Sequence, residues 1–530
     1  MKFKRLLDSL ARSSAQAVST LGQGESEEEE LKQYLYVETE IEKDFKKTLD
    51  SCRGSTSVVF LCGSSGDGKS EILKRYYKDY SEDFFFHLDA THSFRPDQSA
   101  IETLDQLFDK YKYSDKPLVI GINVGMLFNY AATGSERHQD IRSAIEEFTS
   151  AGIFSSPFIF LNFEDYPKFS LEDGSAGSAF ISKLLERIVY PSEKNPLYRA
   201  YLDEREESSG LLSINYRLLQ QEVVRERIVQ LLLSSRLRFD QFLSARALLD
   251  FVHHLICGPQ NLFENLFACG HNELCDIISH FDPCSIRSQK LDQFLIQHSL
   301  GVKEQRFTEF QEEVFSAFNI KGLDAAGWLR LFYVLQDLKI GNNYHQEYVE
   351  DLQRPLYGRY IDVWRLHAAF DNGAEKRQLL RKFYNDELIS ALMRFGNRLS
   401  PSLIKRKHMY LCKRNGVVIS AQADIRPDFK RIEGEAVKNI YEFPICLKVS
   451  DVPLRTFHVN VNFLELVTKI NNGYRPNKHD KNTIVILEEV VDEVTRVAVR
   501  AKKLFFTTDY RQISLTNEPD DGEFVVGGDE

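Results

Sequence analysis

The stretch that most restricts the fold of this chain is residues 57–77, SVVFLCGSSGDGKSEILKRYY. Val58, Val59, Phe60 and Leu61 have the length and β-branched content of a buried strand. They run into Gly63-Ser64-Ser65-Gly66-Asp67-Gly68-Lys69-Ser70, which fits G-x-x-x-x-G-K-[ST], and Ile72, Leu73 and Tyr76 follow at helical spacing. Each part has a physical reason. Glycines let the backbone turn tightly, so that consecutive N–H groups point at phosphate oxygens. The helix that starts there adds the positive end of its dipole. The pattern assigns Lys69 to the β- and γ-phosphates of ATP and the Ser70 hydroxyl to Mg²⁺. The competing reading is an ordinary Gly/Ser-rich turn; a strand before, a helix after and the complete octet argue against it.

Bulk properties set the frame around this motif. A chain of 530 residues has room for about three or four domains. With 43% hydrophobic and 27% charged residues it has an ordinary globular composition, and no apolar run is long enough to span a bilayer. The opening MKFKRLLDSLARS is basic but lacks the continuous apolar centre and cleavage site of a secretory signal. Eight cysteines without framework spacing fit a reducing compartment, so a cytoplasmic location is expected. The net charge of −11 means that any nucleic-acid contact must come from a local basic patch. Residues 14–30 are small and polar, then densely acidic, and read as part of a flexible leader over 1–30 with a solvated charge run. Ile41, Phe45 and Leu49, at four-residue steps, predict a helix leading into the first strand, as in AAA-like ATPases.

Three more apolar runs follow: 84–89 ending in Asp89, 118–123 ending in Asn123, and 158–165 ending in Glu164 and Asp165. Helical patterns over 101–111 and 141–150 separate them. The alternation predicts a parallel sheet with crossover helices, an α/β P-loop NTPase core of AAA- or STAND-like type over 31–178. Two assignments of the Mg²⁺-side acid are open. In the first, which the polar end of the 118–123 strand favours, Asp89 holds the metal and Asn123 faces the γ-phosphate. In the second, 118–123 is the acid-bearing strand with Asn123 where the acid should stand. Ala90, not a glutamate, follows Asp89; Glu164 reads either as a solvated strand end or as a distant candidate for the water-activating carboxylate. The residues therefore argue for nucleotide binding more directly than for fast hydrolysis.

From residue 179 the pattern turns helical, predicting a lid over 179–300 and a middle region over 301–400. Phe242, Ala245, Leu249, Val252 and Ile256 predict one face of a helix closed by Gly258, and Arg246 near its start reads either as a surface charge or as the candidate for reaching back to the γ-phosphate. Cys257, Cys269, His271, Cys275, His280 and Cys284 lie close together but show none of the short spacings from which zinc sites start, so packing is the expected role. Between 375 and 414 the charge inverts. Lys376, Arg377, Arg381, Lys382, Arg394, Arg398, Lys405, Arg406, Lys407, Lys413 and Arg414 face only Glu375, Asp386 and Glu387. Tyr384, His408 and Tyr410 are interleaved, and basic clusters with aromatics can hold DNA or RNA through phosphate contact and stacking; a solvated helix face or a surface for an acidic partner is the competing reading. Past Pro401, short alternating runs predict an α+β module over 401–515, followed by an acidic tail over 516–530. The loop 473–481, GYRPNKHDK, presents Tyr474, Arg475, Lys478, His479 and Lys481 and suits a functional loop or a structural turn equally. Asp428, Glu433, Glu435 and Lys438 are too close in sequence for a restriction-type nuclease centre, and no cleavage of DNA by this chain alone is expected.

Taken in order, the octet 63–70, FHLDATHSF (86–94), LVIGINVGML (118–127), FLSARALLDF (242–251) and GYRPNKHDK resemble the DptF family of bacterial phosphorothioation-dependent restriction systems. The resemblance runs along nearly the whole chain. It implies a component of antiphage defence that works with DptG- and DptH-type partners against DNA lacking the phosphorothioate mark. Of the residue roles, it carries over only those of the P-loop. Three readings follow: an ATP-binding and ATP-hydrolysing component that couples nucleotide state to assembly on DNA, a non-catalytic P-loop scaffold that recruits motor and nuclease subunits, or a STAND-like signalling switch. Any of these is compatible with an oligomer.

Overall fold

The computed structural model describes residues 2–11, 27–90, 98–151, 156–172, 176–204, 210–241, 243–270, 272–302, 304–477, 480–500, 503–508, 511–517 and 524–528. Leader residues 14–26, the part of FHLDATHSF from 91 to 94, Phe242, His271, Lys478, His479 and tail residues 518–523 and 529–530 lie outside the described residues. The chain divides into two units. The first comprises Met1–Phe169, Gly177–Leu232 and Phe242–Leu352; the second comprises Ser170–Ala176, Leu233–Gln241 and Gln353–Glu530.

The first unit is built on four parallel strands: β1 (Val58–Gly63), β2 (Phe85–His87), β3 (Leu118–Asn123) and β4 (Phe158–Asn162), in the order β2-β3-β1-β4. Side-chain alternation along β1 explains why both faces are covered. Val58, Phe60 and Cys62 join Ile120, Ile122, Phe158 and Phe160 in one apolar layer, with Leu104, Phe108, Leu127, Tyr130, Ile141 and Ile145 from the helices on that side. Val59 and Leu61 join Val119 in the other, against Ile41, Phe45, Leu49, Ile72, Leu73 and Tyr76. The helices are α1 (Lys2–Asp8), α2 (Glu27–Leu35), α3 (Glu40–Cys52), α4 (Lys69–Tyr80), α5 (Ala100–Lys112), α6 (Val124–Thr133) and α7 (Gln139–Ala151). The predicted alternation is therefore present as a parallel sheet between helices. The approach helix, α3, buries Ile41, Phe45 and Leu49 as its spacing required. The pattern did not show α6, whose sequence VGMLFNYAAT is apolar nearly throughout and carries no clear period.

The leader reading is corrected at both described ends. Helix α1 buries Phe3, Leu6 and Leu7, with the Phe3 ring edge-on to Tyr216 at 5.1 Å. The acidic run opens α2, where four glutamates in the first turn complement the helix dipole. Each of three has a basic partner brought from elsewhere: Lys2 on Glu27 at 2.5 Å, Arg5 on the buried Glu28 at 3.2 Å, and Arg199 on Glu30 at 2.8 Å. A charge run reads as solvated only while its counter-ions are unknown.

Beyond the sheet, the first unit continues through α8 (Ala179–Val189), α9 (Pro196–Glu204), α10 (Leu211–Leu219), α11 (Glu222–Phe239, which ends in the second unit) and α12 (Ala245–Cys257), and through further helices to Leu352. The expected apolar face of α12 is shifted. Leu248, Phe251, Val252, Leu255 and Ile256 are buried, whereas Ala245 and Leu249 are half-buried.

The second unit corrects the boundary placed at residue 400. Helices Pro355–Ala368, Ala374–Lys382 and Ser390–Gly396 belong with the strands that follow. Asn397, fully buried, shows why: its amide donates to the His408 carbonyl at 3.0 Å and its oxygen accepts from the Tyr410 N–H at 2.8 Å. Five antiparallel strands form the larger sheet, in the spatial order Phe524–Gly527, Gln512–Asn517, Lys503–Thr507, Val417–Gln422 and His408–Arg414. The tail reading is thus also corrected, because Phe524–Gly527 pairs with Gln512–Asn517. Among the described residues, no helix is long and apolar enough to cross a membrane.

Candidate phosphate-loop site

Strand β1 delivers the chain at Gly63, and α4 takes it up at Lys69, so residues 64–68 form the turn between them. Gly66 and Gly68 have φ of +86° and +100°, a left-handed backbone that side chains oppose. Gly68 is also the N-cap of α4 and supplies no side-chain acceptor, which leaves the first helical N–H groups facing the turn. Ser65 and Ser70 are exposed, while Ser64, Gly66, Gly68 and Lys69 are half-buried.

Lys69 folds back over the loop, donating to the carbonyls of Gly63 at 3.0 Å and Ser64 at 2.8 Å. Burial pushes its ammonium below the ordinary value; the charges of Asp67 and Asp89 pull in the opposite direction. Asp67 is the loop's internal staple. Its side chain is fully buried, accepting the Ser64 N–H at 2.7 Å through one oxygen and the Lys168 ammonium at 3.0 Å through the other. Lys168 also donates to the Leu243 carbonyl at 2.7 Å, which ties the loop to the segment entering α12. Neither Lys168 nor Leu243 carries a sequence signal for this role, since the partners are separated by 101 and 75 positions.

The segment carrying Asp89 is held beside β3. The Ala90 N–H donates to the Gly121 carbonyl at 2.9 Å, and a Cβ on Gly121 would stand 2.7 Å from the Leu88 carbonyl oxygen and 2.6 Å from Leu73. A glycine is needed there for this approach. Asp89 is half-buried and close enough to Lys69 to act on its charge. Asn123 pairs in register with Gly63, at the mouth of the loop, and caps α6 by accepting the Met126 N–H at 2.6 Å. Its carbonyl oxygen thus has a structural role that the strand-end position alone does not signal.

Arg246 lies in the first turn of α12, exposed, behind the N-cap Ser244. A Cβ placed on Gly66 would be 3.3 Å from the Ser244 hydroxyl and 3.4 Å from the Arg246 Cβ. The N-termini of α4 and α12 therefore meet at the same loop. At the end of β4, Glu164 is exposed in a single turn capped by Asn162. Its neighbour Asp165 is also exposed and carries no motif signal, yet reduced hydration raises its carboxyl, and its charge reaches Cys62 at the end of β1.

Elsewhere, ten of the eleven cationic positions between 376 and 414 are exposed, with Lys376 half-buried against Asp371 at 2.9 Å. Lys405 and Arg406 end the turn Pro401–Arg406, and Lys407 follows in a left-handed conformation; Arg406 also donates to Gln512. The expected stacking aromatics are corrected. Tyr384 is fully buried, and His408 stacks inside on Phe505 at 4.0 Å; only Tyr410 is partly open. Packing accounts for Cys275 and Cys284, whose thiols burial pushes up to about 12. In the 473–481 loop, Asp480 accepts from the Tyr474 hydroxyl and the Asn477 N–H, both at 2.9 Å, the bonding of a structural turn. Asp428 caps the short helix Phe429–Gly434, and neither it nor Glu435 belongs to a cluster of metal-ligating groups among the described residues. No family model matches this chain, and a search of curated proteins found no relative.

Proposed function

We propose that the first unit binds a nucleoside triphosphate, ATP with Mg²⁺, on residues 63–70. The observation that carries this reading is the convergence of two helix N-termini on a left-handed glycine loop whose lysine is already the first helical residue. Lys69 exchanges its two loop carbonyls for phosphate oxygens, and the exposed Ser70 hydroxyl takes the metal. Asp89, which shares the electrostatic field of Lys69, holds Mg²⁺ through water. With its oxygen committed to α6, Asn123 offers only its NH₂ group to a γ-phosphate. Arg246 closes the site from α12.

This arrangement favours a nucleotide-gated component over a fast ATPase, because Ala90 occupies the position after Asp89 and is fully buried. Together with the resemblance to DptF proteins, it supports a role in phosphorothioation-dependent restriction, with DptG- and DptH-type partners supplying the remaining activities on unmarked DNA. Lys405, Arg406 and Lys407 would touch DNA through its phosphates, since Tyr384 and His408 are in the core and Tyr410 is only partly open. Calorimetric titration of ATP–Mg²⁺ into wild type and Lys69→Ala tests the reading. The variant should lose about 1.5–3 kcal/mol of binding, the scale of a hydrogen bond to a charged group. Unchanged affinity in a folded variant refutes it. Binding without turnover, alone or with DNA, selects the scaffold reading.

A further inference from the structure

At the end of α12 remote from the phosphate loop, three side chains of different chemistry meet. His253 and Cys257 stand one helical turn apart on α12, and Asp8 is the last residue of α1. The His253 Nε2 lies 3.1 Å from the Asp8 Oδ1, and the donor atoms of all three residues lie within 4.8 Å of one another. Asp8 is exposed and the other two are half-buried, so an ion can arrive from solvent.

We propose that Asp8, His253 and Cys257 form a binding site for a divalent transition metal of the zinc class. Imidazole, thiolate and carboxylate are the three ligand types that zinc accepts, and three protein ligands leave a fourth tetrahedral position for water. The backbone favours a cation here as well. Both α1 and α12 end at the cluster, and both direct their carbonyl ends, the negative ends of their dipoles, toward it. An aspartate at a helix C-terminus opposes that dipole; a bound dication would offset the conflict. Binding is balanced by proton release. The Cys257 thiol, which burial and Asp8 push up to about 12, gives its proton to solvent as the sulfur ligates. His253 ligates through Nε2 with its proton on Nδ1, and the metal replaces the hydrogen bond now made to Asp8. The ion would clamp the N-terminal helix to the helix whose other end carries Ser244 and Arg246, about 20 Å away at 1.5 Å per residue. The site stands whether or not the loop binds nucleotide.

Cobalt(II) provides the test, because a thiolate ligand gives it an intense charge-transfer absorption that oxygen and nitrogen ligands alone do not. Titration of the full-length, metal-stripped, reduced protein should give one equivalent of tetrahedral cobalt with that band, displaced by zinc. Cys257→Ser should remove the band while circular dichroism remains unchanged. His253→Gln and Asp8→Asn should each weaken cobalt affinity by about tenfold or more. Absence of the band at one equivalent overturns the proposal and leaves Asp8 and His253 a hydrogen-bonded pair. A band that persists in Cys257→Ser overturns it too, placing the metal on another cysteine. Should Cys257→Ser fail to fold, an unshifted cobalt titration of folded His253→Gln is sufficient to refute the site.

Discussion

Lys168→Met asks whether the glycine loop of residues 64–68 is fixed by one ion pair on the buried Asp67 carboxylate. At 3.0 Å, Lys168 and Asp67 attract by about 5 kcal/mol at an effective dielectric constant of about 20. Desolvation offsets much of that, so the intact pair contributes little net stability. The side chains are 19% and 0% exposed, respectively, so removal of the lysine strands the Asp67 carboxylate in the interior. That loss should destabilise the first unit by about 3–5 kcal/mol. Asp67→Asn combined with Lys168→Met removes the stranded charge and keeps an acceptor for the Ser64 N–H, so the double variant should recover most of the loss. Native-state hydrogen exchange on the amides of β1 and on Ser64 is the appropriate assay, because a chain of two units need not unfold in one transition. A change below about 1 kcal/mol in Lys168→Met would show that water reaches the carboxylate. The double variant's being no better than the single would refute the stranded-charge argument while leaving the ion pair itself intact.

Three further outcomes follow. Asp89→Asn should reduce metal-dependent ATP turnover more than nucleotide binding, whereas Asn123→Ala should also lower stability by about 1 kcal/mol through loss of its helix cap; wild-type turnover in Asp89→Asn together with a gain in Asn123→Asp would assign the acid position to β3 instead. Replacing Lys405, Arg406 and Lys407 by Ala should flatten the salt dependence of DNA binding, because each phosphate left without its cation changes the slope of log K against log salt by roughly 0.9; an unchanged slope measured by fluorescence anisotropy reassigns the surface to a protein partner. In the second unit, burial lowers His367 to about 4, with its ring bonded to the Val363 carbonyl and the Tyr384 hydroxyl. The unfolded chain therefore binds the proton that the folded one refuses, and stability falls as pH drops from about 6.5 toward 4, by up to about 3 kcal/mol in all. Urea midpoints across that window should fall less in His367→Gln than in wild type, and parallel curves would count against the buried neutral imidazole.

Local order in the sequence determined the strand–loop–helix of residues 58–80, because each signal acts over one turn or one strand: β-branched residues, glycines that tolerate positive φ, then apolar residues at helical steps. The same reasoning located α3, α5, α7 and all four strands of the parallel sheet. It failed where a residue's meaning depends on partners distant along the chain. The glutamates of α2 read as solvated until Lys2, Arg5 and Arg199 arrive beside them. Tyr384 and His408 read as stacking platforms until the core of the second unit closes over them. Asp67 read as one variable position of a loop, and only the fold brings Lys168 and Leu243 to it. Arg246 could be named from its helix, but its place beside Gly66 is a tertiary fact. So is the meeting of Asp8 with His253 and Cys257, 245 positions apart in the first case. Backbone preferences are encoded within a few residues, whereas the environment that decides whether a charge is solvated, paired or ligating is assembled only when distant segments pack.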